Sequence, residues 1–400
     1  MDVILARIVG LLVVAMLVAI IAHRSRLPYT VGLVITGVML ALLRIEDGFV
    51  LTRSLIFLVI LPPLLFEAAL NIRWRELRRD VLPVLSLTVL GVVLSAAVVA
   101  AGMTVLAQWP ARSALIFGVL IAATDPVAVI AVFKESGVTG RLRLLVESES
   151  LFNDGVAAVL FGLILIWAQR DAISPLEAVQ SLALSVGGGI AIGLVCGGAA
   201  IVIAGQTADH LVETGLSAAA AYGSFLLAER FHGSGVLATV AAGLLIGNLR
   251  TTGERRRWLS SHGEEFLVDF WNFAAFIANS MVFLLMGLAV GALPFDRTSS
   301  LTVVSAVLLV LVGRSLSVYP ICWLFRRSTW AIPVREQHVL WWGGLRGALA
   351  LALALSLPQS LPLHNAIVVT TFGVAVFSVV GQGLSMPQLL RRLGFPPGRR

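Results

Sequence analysis

Glu147-Ser148-Glu149-Ser150-Leu151-Phe152-Asn153-Asp154-Gly155 runs directly into an apolar tract, Val156 to Ala168. Three carboxylates, two hydroxyls and an amide therefore stand at the mouth of a membrane-length segment, or inside it. An ionisable side chain at membrane depth is costly and by default marks a functional site. On a helix, Ser150 and Asp154 are four residues apart and Ser150 and Asn153 three apart, so all three can share a face. Glu149 and Asn153 are likewise four apart. The spacing lets Asp154 offer a carboxylate to an ion, with Ser150 beside it and Asn153 holding neighbouring backbone. Glu149 reads as half of a buried ion pair. Glu147 reads as an ordinary group nearest the surface.

The rest of the chain belongs to the same class. Of 400 residues, 58% are hydrophobic and only 13% are charged, and the mean hydropathy is +0.96. Soluble domains carry about 25% charged residues, so the composition fits a polytopic membrane protein. The net charge of +7 is no nucleic-acid footprint, because the arginines fall mostly in short loops between apolar runs. Cys196 and Cys322 lie in such runs and have neither disulfide nor metal-ligand spacing. The first run begins almost at Met1 with no small-residue cleavage site after it, and it reads as a retained helix.

Runs of spanning length fall at 3–22, 27–43, 52–70, 81–107, 112–133, 144–169, 177–204, 209–229, 232–249, 265–292, 301–325, 334–357 and 365–390, which predicts about 13 transmembrane helices. The eighth and ninth are separated only by Glu229, Arg230 and His232. Twenty lysines and arginines lie in the loops after odd-numbered spans or in the C-terminal tail, and six lie in the even loops. That bias places the C-terminus in the cytoplasm and the N-terminus outside.

Two spans are interrupted. The fifth carries Ala123-Thr124-Asp125-Pro126-Val127, where proline removes a backbone donor and pushes its predecessor out of helical geometry. One reading is a kink with Asp125 bonded to the freed amides. The other is an unwound helix whose backbone lines an ion site, as in secondary transporters. The twelfth carries Trp342-Gly343-Gly344-Leu345-Arg346-Gly347-Ala348. Close packing by small residues accounts for the glycines but not for Arg346. The two interruptions take corresponding positions if spans one to six and eight to thirteen are inverted repeats with the seventh as connector.

Elsewhere, Glu67 in Leu61-Pro62-Pro63-Leu64-Leu65-Phe66-Glu67 lies near the helix end at Asn71. It reads either as a snorkelling interfacial carboxylate or as a site residue. Arg314, deep in the eleventh span, needs an anionic partner, and Glu149 is the leading candidate. Asp209, Glu213 and Asp269 lie nearer span ends and read as solvated or structural. Gly187-Gly188-Gly189 reads as packing.

With these residues in view, the chain resembles the NhaP-type sodium/proton antiporters of the monovalent cation/proton antiporter-1 family. The stretches that carry the resemblance are LPPLLFEAAL at 61–70, ATDPVAV at 123–129, ESLFNDG at 149–155, NSMVFLLMGL at 279–288 and GGLRGALAL at 343–351, in family order across nearly the whole chain. The resemblance implies an all-α membrane protein of thirteen helices, two of them interrupted and crossed, in a homodimer. It implies a dimerisation part at about 1–80 and 205–295, an ion-binding core at about 81–170 and 300–390, and a connecting helix at about 177–204. It also implies that Asp154 binds cation and proton in turn, with Asn153 as its partner. Thr124 and Asp125 resemble the unwound-helix ligands and their support, and Ser150 and Glu67 further residues around the sodium ion. Glu149 with Arg314 resembles the family's ion pair, with Arg346 the other possible partner. Many relatives carry a long cytoplasmic tail, which is almost lacking here.

The expected activity is antiport of sodium, or another monovalent cation such as potassium, against protons across the cell membrane in pH homeostasis, with no cofactor. A site neutralised by either ion crosses, whereas the empty charged site pays desolvation and crosses poorly. The broken ends of the fifth and twelfth spans supply opposed partial charges that complement Asp154 and its ion. Asn153 cannot titrate, so the expected stoichiometry is one proton per cation. A cation channel would need a selectivity-filter loop, which the sequence does not show. An intramembrane aspartyl protease using Asp125 and Asp154 leaves Asn153 and Pro126 without a role.

Overall fold

In hydrocarbon a backbone must satisfy its own N–H and C=O groups, so apolar runs of this length fold as helices. The computed structural model describes residues 2–25, 27–43, 51–170, 174–251, 259, 261–292 and 297–395, and regular structure among them is helical. One isolated antiparallel bridge, between Asp125 and Leu345, is the exception. Eight helices among the described residues are long and apolar enough to cross a membrane: Arg53–Asn71, Val81–Leu106, Arg141–Ala168, Leu176–Ala204, His210–Arg230, His262–Ala292, Ser299–Leu324 and His364–Arg392. Shorter apolar helices cover Ala6–Ala22, Tyr29–Leu42, Ala111–Leu120 and Gly235–Arg250.

The fifth run is two helices, Ala111–Leu120 and Val127–Ser136. The twelfth is also two, Val334–Trp342 and Ala348–Leu355. The eighth and ninth runs separate at a tight turn in which His232 takes φ 59°. Four helices contain a π turn, at Ile56–Ile60, Ser86–Leu90, Leu184–Gly188 and Ser378–Gln382. Among the cations that set the expected orientation, Arg26, Arg44, Arg255, Arg256, Arg257, Arg399 and Arg400 lie outside the described residues.

The helices gather into two compact units. One comprises Met1–Ile56, Leu82–Asn153 and Asn279–Arg400; the other comprises Phe57–Val81 and Asp154–Ala278. Both pack by bringing backbones close. In the second unit, Gly189, Gly193 and Gly197 form a small-residue ridge against the backbone of Ser234, Ala238 and Ala242. A Cβ at Gly193 would lie 2.1 Å from the Ala238 carbonyl oxygen. Small residues are what let membrane helices approach so closely. A Cβ at Gly187 would meet nothing within 4 Å and one at Gly188 only a Leu184 side-chain carbon at 3.7 Å, so of that triplet only Gly189 has no room for a side chain. The apolar centre of this unit is Phe66 against Trp271, with Ile246, Leu267 and neighbouring alanines. The Trp271 Nε1–H donates to Ser217 Oγ at 2.9 Å, which satisfies the one polar group the ring brings inside.

In the first unit, Gly37 and Gly287 face each other across Tyr29–Leu42 and the end of Ser261–Ala292. The Tyr29 and Ser280 hydroxyls are hydrogen bonded in the same interface. The motif at 279–288 therefore serves as a helix-packing surface.

Candidate functional site

The first break forms because Pro126 cannot continue a helix begun upstream. The chain leaves helical geometry after Leu120 and resumes at Val127. Asp125 organises the restart. Its Oδ1 accepts the Val127 N–H at 2.9 Å, and its carboxylate lies against Gly347, the residue that precedes the half-helix Ala348–Leu355. One carboxylate thus meets the positive ends of two half-helices. The Asp125 N–H donates to the Leu345 carbonyl at 2.7 Å, so the two breaks are joined backbone to backbone.

The negative ends are met by arginines. Arg346 Nη1 donates to the carbonyls of Ala122 (2.8 Å) and Ala123 (3.0 Å), just past the end of Ala111–Leu120. Arg314 Nη2 donates to the Leu340 carbonyl at 3.1 Å, in the last turn of Val334–Trp342. All four inner ends of the broken helices are therefore compensated within this unit, by Asp125, Arg346 and Arg314. The expected complement of those partial charges was Asp154 and its ion; the groups that meet them are Asp125, Arg346 and Arg314.

The glycines of the second break make room for these groups. A Cβ at Gly347 would lie 1.9 Å from Asp125 Oδ2, and one at Gly344 would lie 2.8 Å from Arg314 Nε. Gly347 and Gly344 thus accommodate a carboxylate and a guanidinium, whereas a Cβ at Gly343 would meet the Val339 carbonyl, a close approach to backbone of the kind small residues permit.

Glu149 has Arg314 as its partner. The two form a fork, with Nη1 to Oε1 and Nη2 to Oε2 both at 2.7 Å. Both side chains are almost fully buried. The bidentate geometry, with Nη2 also reaching the Leu340 carbonyl, is what makes this buried ion pair tolerable, although Arg314 Nε has no partner among the described residues. Arg346, the other possible partner, goes to carbonyls instead.

Asn153 is placed against Thr124 and Glu149. Its Nδ2 donates to Thr124 Oγ1 at 3.1 Å and to Glu149 Oε1. An ionised carboxylate only accepts, which fixes the orientation of the amide. Ser150 Oγ lies 3.0 Å from Thr124 Oγ1 and donates to the Thr124 carbonyl at 2.5 Å. It is Ser150, and not Asn153 as expected, that holds the unwound backbone, whereas Asn153 holds side chains. The hydrogens of this cluster are spent within it, since Asn153 donates to Thr124, Thr124 to Ser150 and Ser150 to the carbonyl. What remains unused are oxygen lone pairs, including Asn153 Oδ1, which is buried and has no partner among the described residues. A set of neutral oxygens with spare lone pairs suits a hard monovalent cation.

Asp154 follows directly on the same helix, Arg141–Arg170, and is half-buried. The boundary between the two units falls between Asn153 and Asp154. Glu67, also in the second unit, is half-buried and accepts from Asn71 Nδ2 at 2.7 Å. Glu147 accepts from Arg143 Nε at 2.8 Å one turn away. Asp209 caps the helix His210–Arg230 by accepting the Leu211 N–H. Glu213 is fully buried, so it is not solvated. Among the described residues no cluster of three His, Cys, Asp or Glu could hold a metal ion.

Two polar residues that no sequence motif flagged also reach the breaks. Ser378 Oγ accepts the Arg346 N–H at 2.9 Å, and Gln382 Nε2 donates to the Trp342 carbonyl at 2.9 Å. Their signal was available, as two polar residues four apart inside the thirteenth apolar run.

Known proteins share the sequence pattern and the fold of this chain. A family model described as "Sodium/hydrogen exchanger, transmembrane" matches residues 12–392. The chain is similar to the Na(+)/H(+) antiporter ApNhaP of Aphanothece halophytica, 38% identical over 95% of this chain and 72% of that protein. It is also similar to the Na(+)/H(+) antiporter NhaH of Halobacillus aidingensis, 32% identical over 97% of each. Among solved structures, the sodium proton antiporter MjNhaP1 of Methanocaldococcus jannaschii superposes with TM-score 0.80 at 19% identity, covering 100% of both chains. That likeness is one of fold.

Proposed function

This chain belongs to the sodium/hydrogen exchanger family, a family of transporters and not of enzymes, and from that premise we propose that it exchanges sodium for protons one for one by alternating access. The observation that carries the reading is the oxygen cluster of Thr124, Ser150 and Asn153, built on a break whose charges are already compensated. Asp154, one residue further along the same helix, is the carboxylate for which cation and proton compete. Sodium on Asp154 takes further oxygens from Thr124 and Ser150, with Glu67 also around the ion. A proton on Asp154 neutralises the same site, so either loaded form crosses and the empty, charged form pays desolvation. Asp125, Arg346 and the Glu149–Arg314 pair hold the breaks in place and carry no cargo.

In this reading the chain has thirteen spans with the fifth and twelfth crossing at Asp125 and Leu345. The N-terminus is outside and the C-terminus cytoplasmic, in the cell (inner) membrane. A core of about 81–170 and 300–390 moves against a dimerisation part of about 1–80 and 205–295, in a homodimer that serves pH homeostasis.

The test is flux in proteoliposomes. The parent should drive sodium uptake from a pH gradient, and Asp154→Asn should fold and abolish it. Sodium flux retained by that variant would remove Asp154 from the role. Parallel runs with lithium and potassium decide the cation.

A further inference from the structure

The helix of the thirteenth run does not pass the breaks as a plain α-helix. It opens into a π turn at Ser378–Gln382, between His364–Phe377 and Gly383–Arg392. A π turn takes in one extra residue and frequently marks a functional site. Replacing it by an α turn would carry every residue beyond it round by about 100°. The π turn therefore decides which side chains of the following segment face the second break.

Three do. Ser378 Oγ accepts the Arg346 N–H, and Gln382 Nε2 donates to the Trp342 carbonyl, one of the end carbonyls that Val334–Trp342 cannot satisfy itself. Ser385 Oγ accepts the Trp342 indole N–H at 2.9 Å. Ser378 and Gln382 are both buried, at 2% and 3% exposure. Between them they fix the first and last parts of Trp342–Arg346. From there the connection continues without a gap. Leu345 holds the Asp125 amide, Arg346 holds the carbonyls of Ala122 and Ala123, and Thr124 carries the oxygens shared with Ser150 and Asn153.

We propose that Ser378 and Gln382 are positioning residues for cation binding, and that the π turn seats the second break so that the Thr124 oxygens stand at cation-binding geometry. They touch no cargo and act through Trp342, Arg346 and the first break. The inference rests on the exchange reading above.

The experiment measures initial rates of sodium–proton exchange in proteoliposomes across a range of sodium concentrations. It uses the parent, Ser378→Ala, Ser378→Thr and Gln382→Leu, at matched amounts of folded protein. Losing one buried hydrogen bond in the seat should raise the half-saturating sodium concentration roughly tenfold in Ser378→Ala and Gln382→Leu, with a smaller change in maximal rate. Ser378→Thr, which keeps the hydroxyl, should stay near the parent. A role confined to helix packing would lower the melting temperature and the maximal rate while half-saturation stayed at the parental value, and that result would overturn the proposal. If Ser378→Ala does not fold, Gln382→Leu decides by the same criterion. An Asp154→Asn control run alongside separates the two failures. A parent without exchange that this control abolishes removes the exchange reading and this inference with it. An active parent with unshifted variants removes this inference alone.

Discussion

Arg314 and Arg346 are both buried cations within reach of the same two breaks, yet their partners differ in kind. Arg314 is held by a carboxylate and Arg346 by carbonyls. Removing either member of the Glu149–Arg314 pair strands a buried charge, so Glu149→Gln and Arg314→Ala should each lose about 3–5 kcal/mol. The measurement is thermal unfolding in detergent, and parental melting temperatures in both variants would contradict the pairing. The fork also explains why an amide occupies position 153. Its N–H group donates to Glu149, so Asn153→Asp would set a second carboxylate against the first. That variant should lose about 1–3 kcal/mol at neutral pH through the lost donor, read by the same melting assay. Glu149 and Arg314 were legible as partners because each was a charge in an apolar run with few alternatives. The destination of Arg346 was not, because backbone carbonyls leave no mark in a sequence.

At the scale of elements, glycine decides how closely helices and breaks approach. Gly193→Ala would press a methyl group into the Ala238 carbonyl and should cost about 1–3 kcal/mol. Gly198→Ala, on the same helix but with nothing within 4 Å, should be neutral or stabilising by roughly 0.5–1 kcal/mol. The melting temperature of Gly193→Ala should therefore fall while that of Gly198→Ala holds or rises, and equal shifts would refute the packing argument. The helices themselves were readable because hydrocarbon leaves the backbone no other choice. The breaks were readable from Pro126 and from Arg346 among glycines. Their joining was not readable, because the bridge from Asp125 to Leu345 spans more than two hundred residues and uses main-chain atoms. The π turn at Ser378–Gln382 was equally silent, since Ser-Val-Val-Gly-Gln carries no residue that forbids an ordinary turn.

For the whole molecule, one proton for one cation means that a full cycle moves no net charge. Exchange in proteoliposomes should leave a voltage-sensitive dye unchanged, and rates should not depend on a potassium potential clamped by valinomycin. A potential built by transport would refute one-for-one exchange. The joined breaks bear on how such a molecule can change over evolutionary time. The space Gly347 lacks is occupied by Asp125, and the space Gly344 lacks is occupied by Arg314. Neither loop can therefore be altered in size or charge without a matching change in a distant segment. Residues 122–126 and 343–347, with the arginine of the eleventh run, are expected to change together among relatives. A chimera that imports one loop from a diverged relative should misfold, and one that imports all three parts together should fold and transport.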